Sequence, residues 1–444
     1  MRTAISACVG LLLGIALIAC SPSAAPEATP AASPAASRRS PTPTSMPTPI
    51  PWAEFDQVSL LSGEDTDDLY VLGMVSNSSN RDIAAIRLLV VLEDHEGTVI
   101  EQQEIAPALT HLAAGEASPF KAEFQGTHNA LSPRVEVSDF EEGEFRRANV
   151  EVDGLETAAG EGNGWVILGR LVSSEGVFVE IKQVSLLIRD EEDMPIDLVD
   201  WEAGLTLLDP EGSTPFMARM GASPKSVNLT PYVDALQTAQ EPGSSPVTLP
   251  SDPWLKIDEW QKPFIVGHVH NASPWPRWGS LVLAISFKGD LASVVDLTPP
   301  IPIPPGDTIT YTLTDIPNLM AQLSRQDWQL NDLTVEAWVD ELRAQPSEHQ
   351  TMPLGLEITG HELIGVSLFL RGWVTNTSQQ EALSPTVLAS MRDSRGRTIS
   401  AGWVVAGETL DPDRTIEFIL LLPLPRGVSP STCEYDLSAI GLIP

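Results

Sequence analysis

The chain has 444 residues, with 60 acidic against 26 basic side chains and a formal net charge of −34. A polyanion of this size lacks the basic footprint that nucleic acid or an anionic membrane face requires. Three cysteines do not frame a disulfide-rich mini-protein, and a hydrophobic fraction of 42% is enough for packed cores. At roughly 150 residues per domain the length predicts about three domains.

Met1-Arg2 is a thin basic start, and Ile5 to Ala19 is an apolar run without charge. That run is shorter than the ~20 residues a spanning helix needs and suits the apolar part of a secretory signal. It ends in Leu17-Ile18-Ala19-Cys20. This resembles the lipobox of bacterial lipoproteins, with a large aliphatic residue three before the cysteine and a small one just before it. The resemblance implies a signal peptide over 1–19, cleavage before Cys20, and Cys20 as a lipidated N-terminus. The protein is then extracytoplasmic and held to the bacterial cell membrane, since two or three acyl chains anchor stably. The other reading is an ordinary signal peptide or transmembrane anchor that happens to contain a cysteine.

Residues 20–51 hold nine prolines among Ala, Ser and Thr. Such a segment buries too little to offset its ordering entropy, so a disordered tether is expected. Extended as polyproline II, ~30 residues at ~3.1 Å each reach about 90 Å. One acidic and three basic residues lie in the first 51. The remainder holds 59 acidic and 23 basic residues, a net of −36.

From residue 52 onward one pattern recurs four times. It begins with an apolar strand containing glycine: Gly73, Gly169, Gly267 and Gly372, spaced 96, 98 and 105 apart. Asn77, Asn271 and Asn376 follow four residues later in three copies; the second has Ser173. Next comes an alternating strand closed by a turn, as at Asp94 to Gly97 and Asp393 to Gly396. Period two means strand, and Asp-x-x-Gly favours a type I turn. In the third copy the alternation is displaced by one (Leu281, Leu283, Ile285, Phe287) and the turn is Lys288-Gly289-Asp290. A second marker sets a turn residue five before an aromatic: Gly115 and Phe120, Glu211 and Phe216, Gly306 and Tyr311, Asp413 and Phe418. Short strands with turns every 8–12 residues point to antiparallel sandwiches. Two helical patches interrupt them, Pro231 to Gln240 and Asp315 to Ser324.

The pattern resembles the FxLYD-type immunoglobulin-like domain of bacterial envelope proteins. Its core is a Gly-x-Val-x-Asn strand, an aliphatic strand ending Asp-x-x-Gly, and a Pro-Gly-x-x-x-Phe turn. The match is good in copies one and four and loose in two and three. The expected fold is therefore all-β: four tandem immunoglobulin-like antiparallel β-sandwiches, over 52–142, 145–242, 252–344 and 353–444. The family carries no catalytic residues to transfer.

The sequence has no P-loop, dinucleotide-binding fingerprint, nucleophile elbow, H-E-x-x-H or C-x-x-C. A non-enzymatic protein without cofactor or metal is expected. His268 and His270 have the spacing of two ligands on one strand face but no indicated third. Acidic clusters at Glu64 to Asp68, Asp139 to Glu144 and Asp190 to Asp193 lack the spacing of a calcium loop. Trp275, Arg277 and Trp278 form an aromatic loop suited to a sugar or a protein partner, near Trp254 and Trp260. Packing inward, or at a domain junction, is the competing reading. The sequons at Asn77, Asn271 and Asn376 coincide with the repeat turn, which explains them; a fourth lies at Asn228. Cys433 is read as a structural thiol in a last strand. The functional expectation is a lipid-anchored envelope scaffold or protein-interaction module. The alternative is a carbohydrate-binding surface protein using the third-copy loop.

Overall fold

Alternating apolar residues, cut at short intervals by Gly, Pro and Asp turns, fold almost throughout as antiparallel strands. The computed structural model describes residues 52–62, 68–125, 132–159, 164–220, 228–239, 245–326 and 329–444. All belong to one compact unit, Ile50–Pro444. Cys20, the signal segment, the tether and Glu64 to Asp67 lie outside the described residues.

The strands fall into four groups, each around its own apolar cluster. The first has β1 (Ala53–Ser62), β2 (Leu69–Asn77), β3 (Ile83–Glu93), β4 (Val99–Ile105), β5 (Ala117–Phe124) and β6 (Ser132–Glu142). They pair as β1-β2-β5 and β4-β3-β6, and Val71, Val75, Leu88, Val90 and Phe120 meet between the sheets. The second has β7 (Val150–Ala159), β8 (Trp165–Ser173), β9 (Phe178–Arg189), β10 (Pro195–Gly204), β11 (Leu207–Leu208), β12 (Ser213–Met220) and β13 (Asn228–Thr238). Here β10 pairs with β9 over its first half and with β12 over its second, so one strand passes between the two sheets.

The third group has β14 (Val247–Thr248), β15 (Trp254–Ile257), β16 (Pro263–Asn271), β17 (Leu281–Phe287), β18 (Asp290–Leu297), β19 (Thr308–Leu313), helix α1 (Leu319–Gln326) and β20 (Leu333–Val339). Strand β16 pairs with β14, β15 and β19, while β17 pairs with β18 and β20. The fourth has β21 (Thr351–Pro353), β22 (Gly355–Ile364), β23 (Ser367–Thr375), β24 (Ala382–Arg392), β25 (Thr398–Val405), β26 (Thr409–Leu410), β27 (Thr415–Pro423) and β28 (Glu434–Leu442). Its sheets are β22-β23-β27 and β21-β28-β24-β25, with β26 on β24. Strands β14 and β21 start before the spans expected from sequence, at Val247 and Thr351.

The two sequence markers are one device. Each glycine stands directly across the ladder from the aromatic: Gly73 from Phe120, Gly169 from Phe216, Gly267 from Tyr311, Gly372 from Phe418. A Cβ would come within 2.7 Å of Phe120 and Phe216, 2.8 Å of Phe418, and nearer still to Tyr311. The missing side chain is the slot into which the ring lies. The turn residue five positions earlier takes positive φ in all four copies: Gly115 79°, Glu211 57°, Gly306 74°, Asp413 59°. The buried asparagines fasten the loops between sheets. Asn376 donates to the carbonyls of Gln380 at 2.7 Å and Leu410 at 2.8 Å, and accepts from the Ser378 amide at 3.0 Å.

Of the two expected helical patches, one is a helix. Leu319–Gln326 crosses from β19 to β20, with Leu319 in the core and Gln322 Nε2 donating to the Ala292 carbonyl at 2.8 Å. The other, expected over Pro231 to Gln240, is strand β13 as far as Thr238, paired with β9 from Asn228↔Arg189 to Thr238↔Phe178, and Gln240 lies outside the described residues. A bulge at Asp234/Ala235 breaks the period of two. Tyr232 also packs toward the first group while Val233 packs on the second group's core. A bulged strand apolar on both sides imitates helical spacing.

The groups interlock. The outer face of β2-β5 places Leu72 with Leu187 and Leu198 of the second group. Val166, Leu168 and Met217 of β8 and β12 meet Val282 and Val294 of the third. Leu388 and Trp403 of the fourth pack onto the third group's cluster.

Candidate functional site

The loop after β16 is built from Asn271, which is fully buried. Its Nδ2 donates to the carbonyls of Trp275 and Ile303, both at 2.8 Å, and its Oδ1 accepts from the Ser273 amide at 2.9 Å. Ser273 Oγ also donates to the Trp275 carbonyl, at 2.6 Å. The Trp275 backbone is thus fixed from two sides while its side chain leaves the residue 60% exposed.

Arg277 and Trp278 face other tasks. Arg277 exchanges backbone hydrogen bonds with Ile303 at 3.1 and 2.7 Å, and its Nη1 donates to the Ala344 carbonyl at 3.0 Å. Its buried Nε finds no partner among the described residues. The Trp278 amide donates to the Gln345 carbonyl at 3.1 Å, and the residue is half-buried. The three residues therefore share a loop without converging on one surface. Trp254 is half-buried against His268, ring centroids 5.5 Å apart. Trp260 is 63% exposed, with its ring over Gly365 of the fourth group.

His268 and His270 lie on one side of β16, each Nδ1 3.0 Å from a hydroxyl across the ladder, Thr310 and Thr308. Burial, then the Arg392 guanidinium, pushes the His268 imidazole below its ordinary range. Among the described residues no three His, Cys, Asp or Glu are grouped to hold a metal ion. The acidic turn at Asp190 is engaged with its own backbone: Oδ1 accepts from the amides of Glu192 at 3.1 Å and Met194 at 2.8 Å. Asp94, Asp258 and Asp393 repeat that pattern. Cys433 precedes β28 rather than lying in it and is half-buried, with Sγ 3.5 Å from the Ser429 carbonyl. Burial pushes its thiol up, away from thiolate chemistry.

The most specific polar constellations lie at the junctions, where no motif announces them. Asp234 on β13 is fully buried and takes the Thr110 hydroxyl at 2.6 Å, the Thr110 amide at 3.0 Å and His111 Nδ1 at 3.2 Å. Burial works to raise its carboxyl, but the bonds from His111 and Thr110 outweigh it and hold the group below the usual carboxylate range. Between the second and third groups, Arg343 bonds Asp340 at 2.6 Å, the Gly204 carbonyl at 2.6 Å, and Asp296. Asp340 in turn takes the Thr206 hydroxyl at 2.7 Å. A cleft of about 700 Å³ between the third and fourth groups has Lys256, Arg397 and Arg426 on its walls. Apart from these partners, Asp234 and Asp340 look in sequence like any solvated strand carboxylate.

The chain matches no family model and no curated protein. Among solved structures it aligns with trypsin-activated α-2-macroglobulin from Escherichia coli at 10% identity and a TM-score of 0.13, over 88% of this chain and 30% of that one. The native conformation of the E. coli protein aligns at 10% identity and a TM-score of 0.11, over 88% and 29%. The chain thus spans less than a third of the macroglobulin chains, and at these scores the alignment establishes no common fold.

Proposed function

We propose that the chain is a non-enzymatic, lipid-anchored envelope protein. In this reading Cys20 carries the lipid, residues 20–51 form the tether, and four tandem immunoglobulin-like domains of FxLYD type act outside the cell. Their role is that of a scaffold or protein-interaction module. The observation that carries the reading is the succession, in one chain, of Leu17-Ile18-Ala19-Cys20, nine prolines, and a glycine–aromatic pair repeated at matching register. Interlocked β-sheets with apolar junctions suit a rigid spacer that presents a surface. Metabolic labelling with a palmitate analogue tests the anchor: label is expected on the full chain and lost in Cys20→Ala. Label that persists in Cys20→Ala removes the anchor from the reading. Cross-linking of the intact chain in its envelope, followed by pull-down, tests the interaction role.

Trp275 supports a second reading, glycan binding by the third domain. An indole exposed on a braced loop is a stacking platform. A glycan panel that quenches or shifts tryptophan fluorescence, with the response lost in Trp275→Ala, would favour it. An unresponsive panel removes it.

A further inference from the structure

Two of the three junctions are tied by a charged side chain that finds partners across the boundary. Asp234 of the second group accepts the Thr110 hydroxyl of the first at 2.6 Å. Arg343 of the third donates to the Gly204 carbonyl of the second at 2.6 Å, and Asp340 accepts the Thr206 hydroxyl at 2.7 Å. The third junction is joined mainly through backbone amides. That of Ala401 donates to the Thr312 hydroxyl at 2.8 Å, and that of Arg426 to the Ile257 carbonyl at 2.8 Å. Glu259 also crosses there, and accepts the Gly427 amide at 2.7 Å.

This third junction holds the cleft of about 700 Å³, a volume within the range of small-molecule sites. Leu255, Leu333 and Ile399 give it apolar wall. Lys256 enters from β15 of the third group, and Arg397 and Arg426 from the loops before β25 and after β27 of the fourth. The amide bond from Arg426 to Ile257 sets Arg426 beside Lys256 across the junction. Asp393, the carboxylate on the same wall, is engaged by Arg397, whose Nε and Nη2 lie 2.9 and 2.7 Å from its Oδ2. Lys256 Nζ and the Arg426 guanidinium make no hydrogen bond or ion pair among the described residues. Three cations against one carboxylate reverse, locally, the sign of a chain whose net charge is −34.

We propose that this cleft binds a small organic anion, an oxyanion head carried on an apolar body. The head is held between Lys256 and Arg426, so the ligand joins the third group to the fourth. It supplies the kind of charged tie that the first two junctions build from side chains. Charge selects this occupant over a cation or a neutral molecule. A guanidinium fork and an ammonium match the oxygens of a phosphate or a carboxylate, and a recess walled by one sign concentrates its field. Leu255, Leu333 and Ile399 cover the apolar body. The acidity of the rest of the chain restricts the ligand to a small one, because a long polyanion would run out over repelling surface. The site is separate from the Trp275 loop, and the proposal does not depend on the lipid anchor.

The test is calorimetric titration of the full chain in non-ionic detergent, against a detergent blank, with three probes of one apolar body: 1-naphthyl phosphate, 1-naphthoate and the uncharged 1-naphthalenemethanol. One site per chain is expected for the anions, with a dissociation constant on the order of 100 μM for ligands of this size. The tighter of the two anions identifies the head. The alcohol is expected to bind at least ~tenfold more weakly. Lys256→Gln with Arg426→Gln is expected to weaken both anions at least ~tenfold, with each single change intermediate and thermal melts confirming that every variant folds. Saturating anion should raise the melting midpoint of the natural chain and leave that of the double variant where it was. Arg134→Gln, on the first group and 2.9 Å from Glu93, is expected to leave binding unchanged. The proposal is overturned if neither anion binds below ~10 mM, about a hundredfold above the expected constant. Anions bound equally well by the folded double variant, or an alcohol bound as tightly as the anions, also overturn it.

Discussion

Tyr311→Phe is expected to stabilise the third group of strands. Tyr311 is fully buried, its ring lies over Gly267, and its hydroxyl finds no hydrogen-bond partner among the described residues. Burial drives the phenol far above its ordinary ionisation range, so the group stays a neutral, unpaired hydroxyl. An unsatisfied buried hydroxyl costs about 1–3 kcal/mol. Removing the oxygen opens a void of roughly one small atom, ~10 Å³, which at ~24 cal/mol per Å³ costs only about 0.2 kcal/mol. The net expectation is a gain of about 1–2 kcal/mol. The other three groups already have phenylalanine at this register. Urea unfolding followed by tryptophan fluorescence reads the shift in midpoint, and calorimetry places it among the thermal transitions. A loss of 1 kcal/mol or more would refute the reasoning, because it would mean the hydroxyl is bonded in the native protein.

Gly372→Ala should cost at least ~3 kcal/mol, since its Cβ would lie 2.8 Å from Phe418 and against the Glu357 carbonyl. Gly396→Ala, at φ 74° with open space around it, should cost only about 1 kcal/mol, and denaturant melts of the pair separate crowding from backbone strain. Asp234→Asn should weaken the first junction by about 2 kcal/mol, as three hydrogen bonds to one buried carboxylate oxygen lose their charge. The Asp234 carboxyl is lowered in the folded state. Its contribution is therefore present above the unfolded value of 3.8 and is lost as pH falls below that toward the folded value. A pH series of melts should show this acid loss in the natural chain and not in the variant. Arg343→Met should cost about 2 kcal/mol, less than a fully buried pair because the Arg343 side chain is 36% exposed, while Asp340 and Asp296 would remain largely buried without their cation. Early proteolysis between the second and third groups would report it.

The sandwich interiors were legible because a cross-strand pair must keep a fixed distance along the chain. The glycine and its aromatic partner are tied by ladder register, so their spacing barely drifts between copies. The junctions were harder to see. Val166-Ile167-Leu168 and Phe264-Ile265-Val266 are unbroken apolar runs, the mark of a strand buried on both faces. Read only as core strands, they hide the second face. Pro231 to Gln240 reads as helical in sequence for the same reason, aggravated by the bulge of the strand it overlaps. At the aromatic loop, where Trp275 is 60% exposed, sequence left that residue between a surface platform and packing. It gave no sign that Arg277 would spend its guanidinium on the Ala344 carbonyl, because that contact closes 67 residues away. Asp234 and Asp340 were illegible because Thr110 and Thr206, which bond them, lie more than 120 residues distant, and Arg343 three residues after Asp340 does not mark a buried carboxylate.

The two end faces differ: β4-β3-β6 carries the Arg134 ions with Val91 covered, whereas β22-β23-β27 mixes Arg371 and Glu362 with exposed Ile419 and Leu421. A further group of strands set on β22-β23-β27 would meet Ile419 and Leu421, 49 and 44% exposed. One inserted before the first would have to displace paired ions from a sheet that needs no cover. Excising a middle domain would juxtapose faces that evolved against other neighbours.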